Sequence, residues 1–406
     1  GVTETAALSQ SLDTLAAHPQ VKGQVINLNR FAEINRAYAH LALHPDQPQA
    51  ANIAATEIKL LLYNLMHNYP KVEYLVLVGG DSIIPYRRIR DEALFSNERR
   101  YAPISAASAI SEALAARYFL SDDYYANAAL YPLVWRGREL YLPQLGTGRL
   151  VESPTDIRNA IDAFIAQPIL TPANALVTGY DFLIDQAQAI SATLRQRGIS
   201  NINGLIDDTW TANDLRGKLI NVPQAPDINA LNAHFTHYAL IPASVPVSPT
   251  LSDYIFAAEI TTTTRYSNAL AVSIGCHSGL NVPDETATDN PTDWAQAFNR
   301  QGAAFIGNTG YGYGSGEAVA LSEKLINNVV EELGYLGSGA QRVNGLPTLG
   351  GTLLRVKQRY FNTLGPSGFS NYDEKVMEQV VLYGLPMQAV QVPNPVISPD
   401  GNRALR

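Results

Sequence analysis

The chain of 406 residues contains one cysteine, Cys276, and only three methionines and three tryptophans. A single cysteine excludes an intrachain disulfide and any metal site built from several cysteines. Basic residues are in the minority, 29 Lys and Arg against 37 Asp and Glu, for a formal net charge of −8. That balance argues against nucleic acid or an anionic membrane surface as a partner. Apolar runs long enough to span a bilayer are missing, as are solenoid-period repeats and low-complexity tracts. What remains is a globular composition, 46% hydrophobic, in a chain longer than one core usually fills. Two subdomains are therefore expected. The sequence starts at Gly1 with no secretory signal pattern behind it, so it is expected to be a processed piece of a longer precursor with flanking domains.

Strand and helix patterns alternate, which predicts an α/β fold of mostly parallel sheets flanked by helices. Strands are expected at 24–28, 74–78, 175–178, 228–233, 269–274 and 303–306. Helices are expected at 30–43, 48–66, 154–166, 185–197, 293–300 and 317–333. Ser153 ahead of Pro154 reads as an N-cap with proline at the first helical position. The stretch 167–172, with Pro168 and Pro172, reads as a linker. It divides the chain into 1–170, an N-terminal α/β subdomain supplying part of the site, and 171–406. The glycine-rich segment 310–316 lacks the lysine and spacing of a phosphate loop, and reads as a mobile loop bordering the site. A nucleotide-dependent enzyme is the reading that would rest on that segment alone.

Cys276 stands at the end of the run 269–276, where His277, Ser278 and Gly279 begin a turn. The carboxyl edge of an open parallel sheet is where substrates are commonly met. A thiol placed there has rigid strand behind it and turn backbone in front, as a nucleophile requires. Its proton acceptor is sought among seven histidines. His277 is adjacent, and neighbouring residues on an extended strand face opposite ways. His234 and His237 follow the apolar run 228–233. If that strand neighbours the one ending at Cys276, thiol and imidazole meet at one sheet edge. The spacing of His234 and His237 also suits a metal site, but the sequence supplies no third ligand cluster. No metal or organic cofactor is expected.

Five short motifs in order then resemble the gingipain-like cysteine peptidases, relatives of the caspases with the caspase-haemoglobinase fold. They are Tyr74 to Asp81 with Ile84 and Pro85, Ser121 to Tyr125, Gly148 to Glu152, Cys276 to Gly279, and Leu382 to Pro386. In the last of these Leu385 replaces the usual Asp. The resemblance implies a caspase-like catalytic subdomain in 171–406, a Cys–His dyad and a protein or peptide substrate. It implies His234 as base, with His237 as the alternative. The oxyanion would be held by the N–H groups of Cys276 and of the residue after the base, Phe235 for His234. The family usually has Gly-His-Gly at the base, which this sequence lacks. By the same resemblance Glu152 supports the catalytic histidine, and Asp162 forms the acidic floor of a pocket for arginine before the cut. The chain ends at Arg406, where self-processing by an arginine-directed enzyme would leave it. The reading is a cysteine endopeptidase cleaving after Arg. Its alternative is an inactive caspase-fold scaffold or binding module.

Overall fold

A computed structural model describes residues 2–102, 108–129, 132–283 and 292–397; the Arg406 terminus lies outside them. The apolar runs form one eight-stranded sheet. Its strands are β1 (Tyr74–Val78), β2 (Gly146–Leu150), β3 (Asn174–Gly179), β4 (Asn201–Ile206), β5 (Ile228–Leu231), β6 (Leu270–Ser273), β7 (Ala304–Asn308) and β8 (Val380–Tyr383). Across the sheet the order is β1-β2-β8-β7-β6-β5-β3-β4. Every residue of β5, β6 and β7 is buried, as strands covered on both faces must be.

Side-chain alternation assigns the two faces. Leu270, Val272, Ala230 and Ile306 pack with α2 (Ile184–Gln196) and α4 (Leu321–Glu332) through Ile190, Leu194, Leu325 and Val329. Ala271, Leu231 and Phe305 face the other way, onto Trp294 and Phe298 of α3 (Trp294–Arg300). α1 (Pro154–Ala166) begins as the sequence predicts, with Ser153 accepting from the Asp156 N–H in a capping box.

One strand changes the geometry. Neighbours are parallel except β7 and β8, which pair antiparallel with Phe305 opposite Tyr383 and Asn308 opposite Val380. β8 is in turn parallel to β2, with Tyr383 opposite Arg149. Strands β3 to β7 therefore open their carboxyl ends at one edge, and β1, β2 and β8 at the opposite edge. Strands from before and after residue 170 share this one sheet, and between them the Gly384 N–H donates to the Arg149 carbonyl at 2.9 Å.

Several expected elements differ. Residues 24–27 form no strand; Asn27 instead caps a 3-10 turn at Leu28–Arg30, its side chain accepting from the Asn29 N–H. The expected linker contains Ile169–Leu170, which pairs with Ala389–Val390. The run 228–233 is a strand only to Leu231. His234–Phe235 then joins a separate antiparallel ribbon with Ala239–Ile241 and Ile255–Phe256.

The motifs around residues 81, 122 and 149 serve this frame. Buried Arg149 is held by both oxygens of Asp122, at 2.9 and 2.5 Å, and by the carbonyls of Gly79 and Ile84. Arg88 grips Asp81 with two bonds of 2.6 Å. Such fork-to-carboxylate pairs fix geometry, and removing one partner would strand a buried charge.

Candidate active site

β5 and β6 are adjacent and parallel, with Leu231 opposite Ser273. His234 and Cys276 lie equally far beyond that pair, so both leave the sheet at the same carboxyl edge. The Cys276 turn is pinned on all sides. Ser273 Oγ accepts from the Gly275 N–H, Asn308 Nδ2 donates to the Ile274 carbonyl at 2.7 Å, and the His277 N–H donates to the Gly310 carbonyl at 2.7 Å. Gly279 then crosses β7 so closely that a β-carbon there would sit 2.5 Å from the Gly307 backbone. Only glycine fits.

Cys276 is half-buried, and its thiol lies 3.7 Å from the Gly312 carbonyl, an S–H···O contact to the glycine-rich segment. Burial pushes the thiol pKa up, so at neutral pH it keeps its proton until a base takes it. The glycine-rich segment thus borders the thiol, and at Gly314 it packs against Phe182.

The two candidate histidines differ sharply. His234 is exposed at the sheet edge, its ring edge-on to Tyr180 and Phe182 at centroid distances of 5.6 and 5.9 Å. His237 is buried. Its Nδ1 is 2.7 Å from the Tyr101 hydroxyl, which also accepts the His237 backbone N–H at 3.0 Å. Burial holds the His237 pKa down to about 3, with the neighbouring His277 adding to the effect. A base that titrates so low is poorly matched to proton transfer near neutrality.

Phe235 packs directly on the Cys276 turn, where a β-carbon on Gly275 would meet its ring at 2.2 Å. The ribbon turns through Thr236, whose N–H bonds the Ala239 carbonyl at 2.8 Å. In antiparallel alternation the Phe235–Leu240 pair is then the non-hydrogen-bonded one, so the Phe235 N–H points away from the ribbon.

Glu152 and Asp162 follow β2, whose carboxyl end opens at the opposite edge. Glu152 reaches back to accept from Asn281 Nδ2 at 3.1 Å. The same amide nitrogen is 2.9 Å from Asp293. The structure ties Glu152 to the segment leaving the Cys276 turn. Asp162 is exposed on α1, and its neighbour Ala163 lies where a β-carbon on Gly302 would meet it at 2.5 Å. Gly302 precedes β7, at the amino end of that strand. Asp162 is thus at the edge away from Cys276 and does not floor a pocket beside the thiol. The reversal introduced by β8 is the physical reason.

Sequence reasoning missed the residues behind the thiol. His277 Nε2 is 2.7 Å from Glu98 Oε2, and the Tyr101 ring stacks on the imidazole at 3.4 Å and 7°. Glu98 also meets Lys375 Nζ at 2.6 Å, and Lys375 meets Asp91 at 2.8 Å. Burial alone would raise the Glu98 pKa, but Lys375 and His277 pull it down to about 2. In sequence, Glu98 beside Arg99 and Arg100 looks like an ordinary surface charge run.

Among the described residues no cluster of three or more His, Cys, Asp or Glu side chains could hold a metal ion, and no helix is long and apolar enough to cross a membrane.

A thiol at the carboxyl edge of a mixed α/β sheet is placed as the nucleophile of a thiol hydrolase would be, and comparison with known proteins gives the class. The sequence matches Peptidase family C25 over residues 2–391, and the chain belongs to that family. It is a cysteine peptidase of the gingipain type. Among solved structures it is similar to the complex of Porphyromonas gingivalis RgpB pro- and mature domains. The TM-score is 0.54 at 15% identity, covering 85% of this chain and 72% of that one. A weaker similarity, TM-score 0.38 at 11% identity, is to a Saccharomyces cerevisiae separase–securin complex, covering 61% of this chain and 14% of that one. No curated protein sequence matches significantly.

Proposed function

We propose that the chain is an endopeptidase using a Cys276–His234 dyad and cleaving after arginine. The observation that carries the dyad is the β5–β6 register, which sends both residues off one sheet edge. His234 takes the thiol proton as sulfur attacks the scissile carbonyl carbon. The carbonyl electrons move to oxygen, held by the N–H groups of Cys276 and Phe235. When the tetrahedral species collapses the C–N bond breaks, and the imidazolium returns its proton to the leaving amine. Water then hydrolyses the thioester with His234 as base. His237, buried and bonded to Tyr101, supports the loop in this scheme.

The preference for arginine draws support from the acidic rim at the same edge in place of Asp162. Asp181 follows β3, while Asp207 and Asp208 follow β4; all three are exposed. β3 is the neighbour of β5 and β4 lies one strand further out, so Asp181 follows the strand beside the His234 loop and Asp207 and Asp208 extend the rim outward along the same edge. A planar guanidinium can meet such carboxylates with paired bonds.

The test is a thiol-reactive peptidyl probe with an arginine end group. Stoichiometric labelling at Cys276, lost in Cys276→Ala, supports the enzyme. A protein that folds, binds peptide and resists labelling supports the scaffold reading.

A further inference from the structure

Two loops carry the proposed nucleophile and base, and a third segment, at 98–101, is wedged between them. Resting on the peptidase reading above, we propose that Tyr101 and Glu98 are positioning residues that lock the Cys276 turn to the His234 loop. Together they hold thiol and imidazole in register.

The chain of contacts is continuous and buried. His277, next to the thiol, has φ of +57°, a conformation that a non-glycine residue adopts only when its surroundings impose it. What imposes it here is visible. Its N–H is held by the Gly310 carbonyl, its Nε2 by Glu98, and its ring by Tyr101 on one face and Tyr311 edge-on at 4.5 Å. The direction of His277 sets the direction of the peptide before it, and so of the Cys276 carbonyl and side chain. His277 Nδ1 has no partner among the described residues. A neutral ring with its proton on Nε2, donating to Glu98, leaves only a bare lone pair there. Fully buried, stacked on Tyr101 and met edge-on by Tyr311, the ring serves as an anchor for the turn.

Tyr101 then passes the constraint to the other loop. Its hydroxyl is the common partner of the His237 ring and the His237 N–H, three residues beyond His234. Glu98 is itself anchored, accepting the Tyr311 N–H at 3.0 Å and meeting Lys375. One face of Tyr101 thus bears on the thiol turn while its hydroxyl holds the base loop. A register error of about 1 Å between two reacting groups is enough to cost on the order of 100-fold in rate.

Tyr101→Phe is the clean probe, because it keeps the stack on His277 and removes only the hydroxyl. Turnover is measured on an arginyl peptide and divided by the fraction of protein that the arginyl probe labels at Cys276. A purely structural role lowers the labelled fraction and leaves kcat per labelled site alone. The expectation is at least a tenfold fall in kcat per labelled site with KM within about twofold of wild type. A second pair guards against misfolding of that variant. His237→Asn keeps a polar atom near the Nδ1 position and should recover most of the kcat that His237→Val loses. Wild-type kcat per labelled site in Tyr101→Phe, or equal kcat in the two His237 variants, overturns the proposal. If the wild-type protein itself neither labels nor turns over any peptide, the peptidase reading has failed and this one falls with it.

Discussion

Gly275→Ala is the sharpest perturbation of the site, because one methyl group is placed between the two loops that must cooperate. A β-carbon on Gly275 would lie 2.2, 2.5 and 2.6 Å from Cδ2, Cγ and Cβ of Phe235. A change of the Phe235 χ1 rotamer moves the first two atoms but not Cβ, whose position is fixed by its backbone. Ordinary carbon–carbon contact needs about 3.5–4.0 Å. The Phe235 and Cys276 loops must therefore separate by about 1 Å. Overpacking of this kind costs about 1–3 kcal/mol of stability. In the proposed mechanism the larger effect falls on catalysis, since the same shift separates His234 from Cys276 and the Phe235 N–H from the oxyanion position. A 1 Å misplacement is worth on the order of 100-fold. The assay is kcat/KM on an arginyl peptide, with thermal unfolding measured on the same preparation. The expected result is a fall of about 100-fold in kcat/KM with Tm lower by only a few degrees. Gly275→Ala with wild-type kcat/KM would refute the argument that these loops form the site.

Further outcomes follow from the same geometry. Cys276→Ala abolishes turnover and leaves the fold intact. His234→Ala costs about 10²–10⁴-fold in kcat, and His237→Ala much less; a reversed order would make His237 the base. Replacing Asp207 and Asp208 together by Asn lowers kcat/KM for arginyl peptides about two- to fivefold, the scale of exposed charges, whereas Asp162→Ala leaves the preference unchanged in a matched fluorogenic set. Because the folded His237 pKa is depressed, the unfolded chain binds this proton first as pH falls below about 6.5. Stability is therefore lost between pH 6.5 and 3, by about 1.4 kcal/mol per pH unit from this residue. Burial raises Asp123 and Glu374, which act with the opposite sign in this range. The readout is accordingly the difference in urea-unfolding free energy between wild type and His237→Asn, which should grow as pH rises from 5 to 6.5.

The local code was legible where a residue's own chemistry decides its conformation. Ser153 and Pro154 announce α1, and the apolar run 74–78 reads directly as strand β1, although as the edge strand of the sheet only its Leu77 is buried. The thiol at a strand-to-turn boundary was legible for the same reason. So was the pair of histidines after the next apolar run, although the run breaks at Leu231 and not at Ala233. Which strands become neighbours is a long-range matter that spacing along the chain does not encode. The β5–β6 pairing sends His234 and Cys276 off the same sheet edge. The antiparallel β8 carried Asp162 to the far edge. Helices at Val2–Ala17 and Leu349–Gly368 and strand β8 were not anticipated, since their patterns are weaker than the tertiary contacts that stabilise them. Sequence alone determined the class of chemistry, through one cysteine, its turn and the motifs around it. Only the tertiary structure decided which histidine is exposed at the edge the thiol leaves, which is buried under Tyr101, and which carboxylates share that edge. Exposure and proximity are properties of the packed sheet, and residues as distant as Glu98, His277 and Lys375 acquire their chemistry only by meeting there.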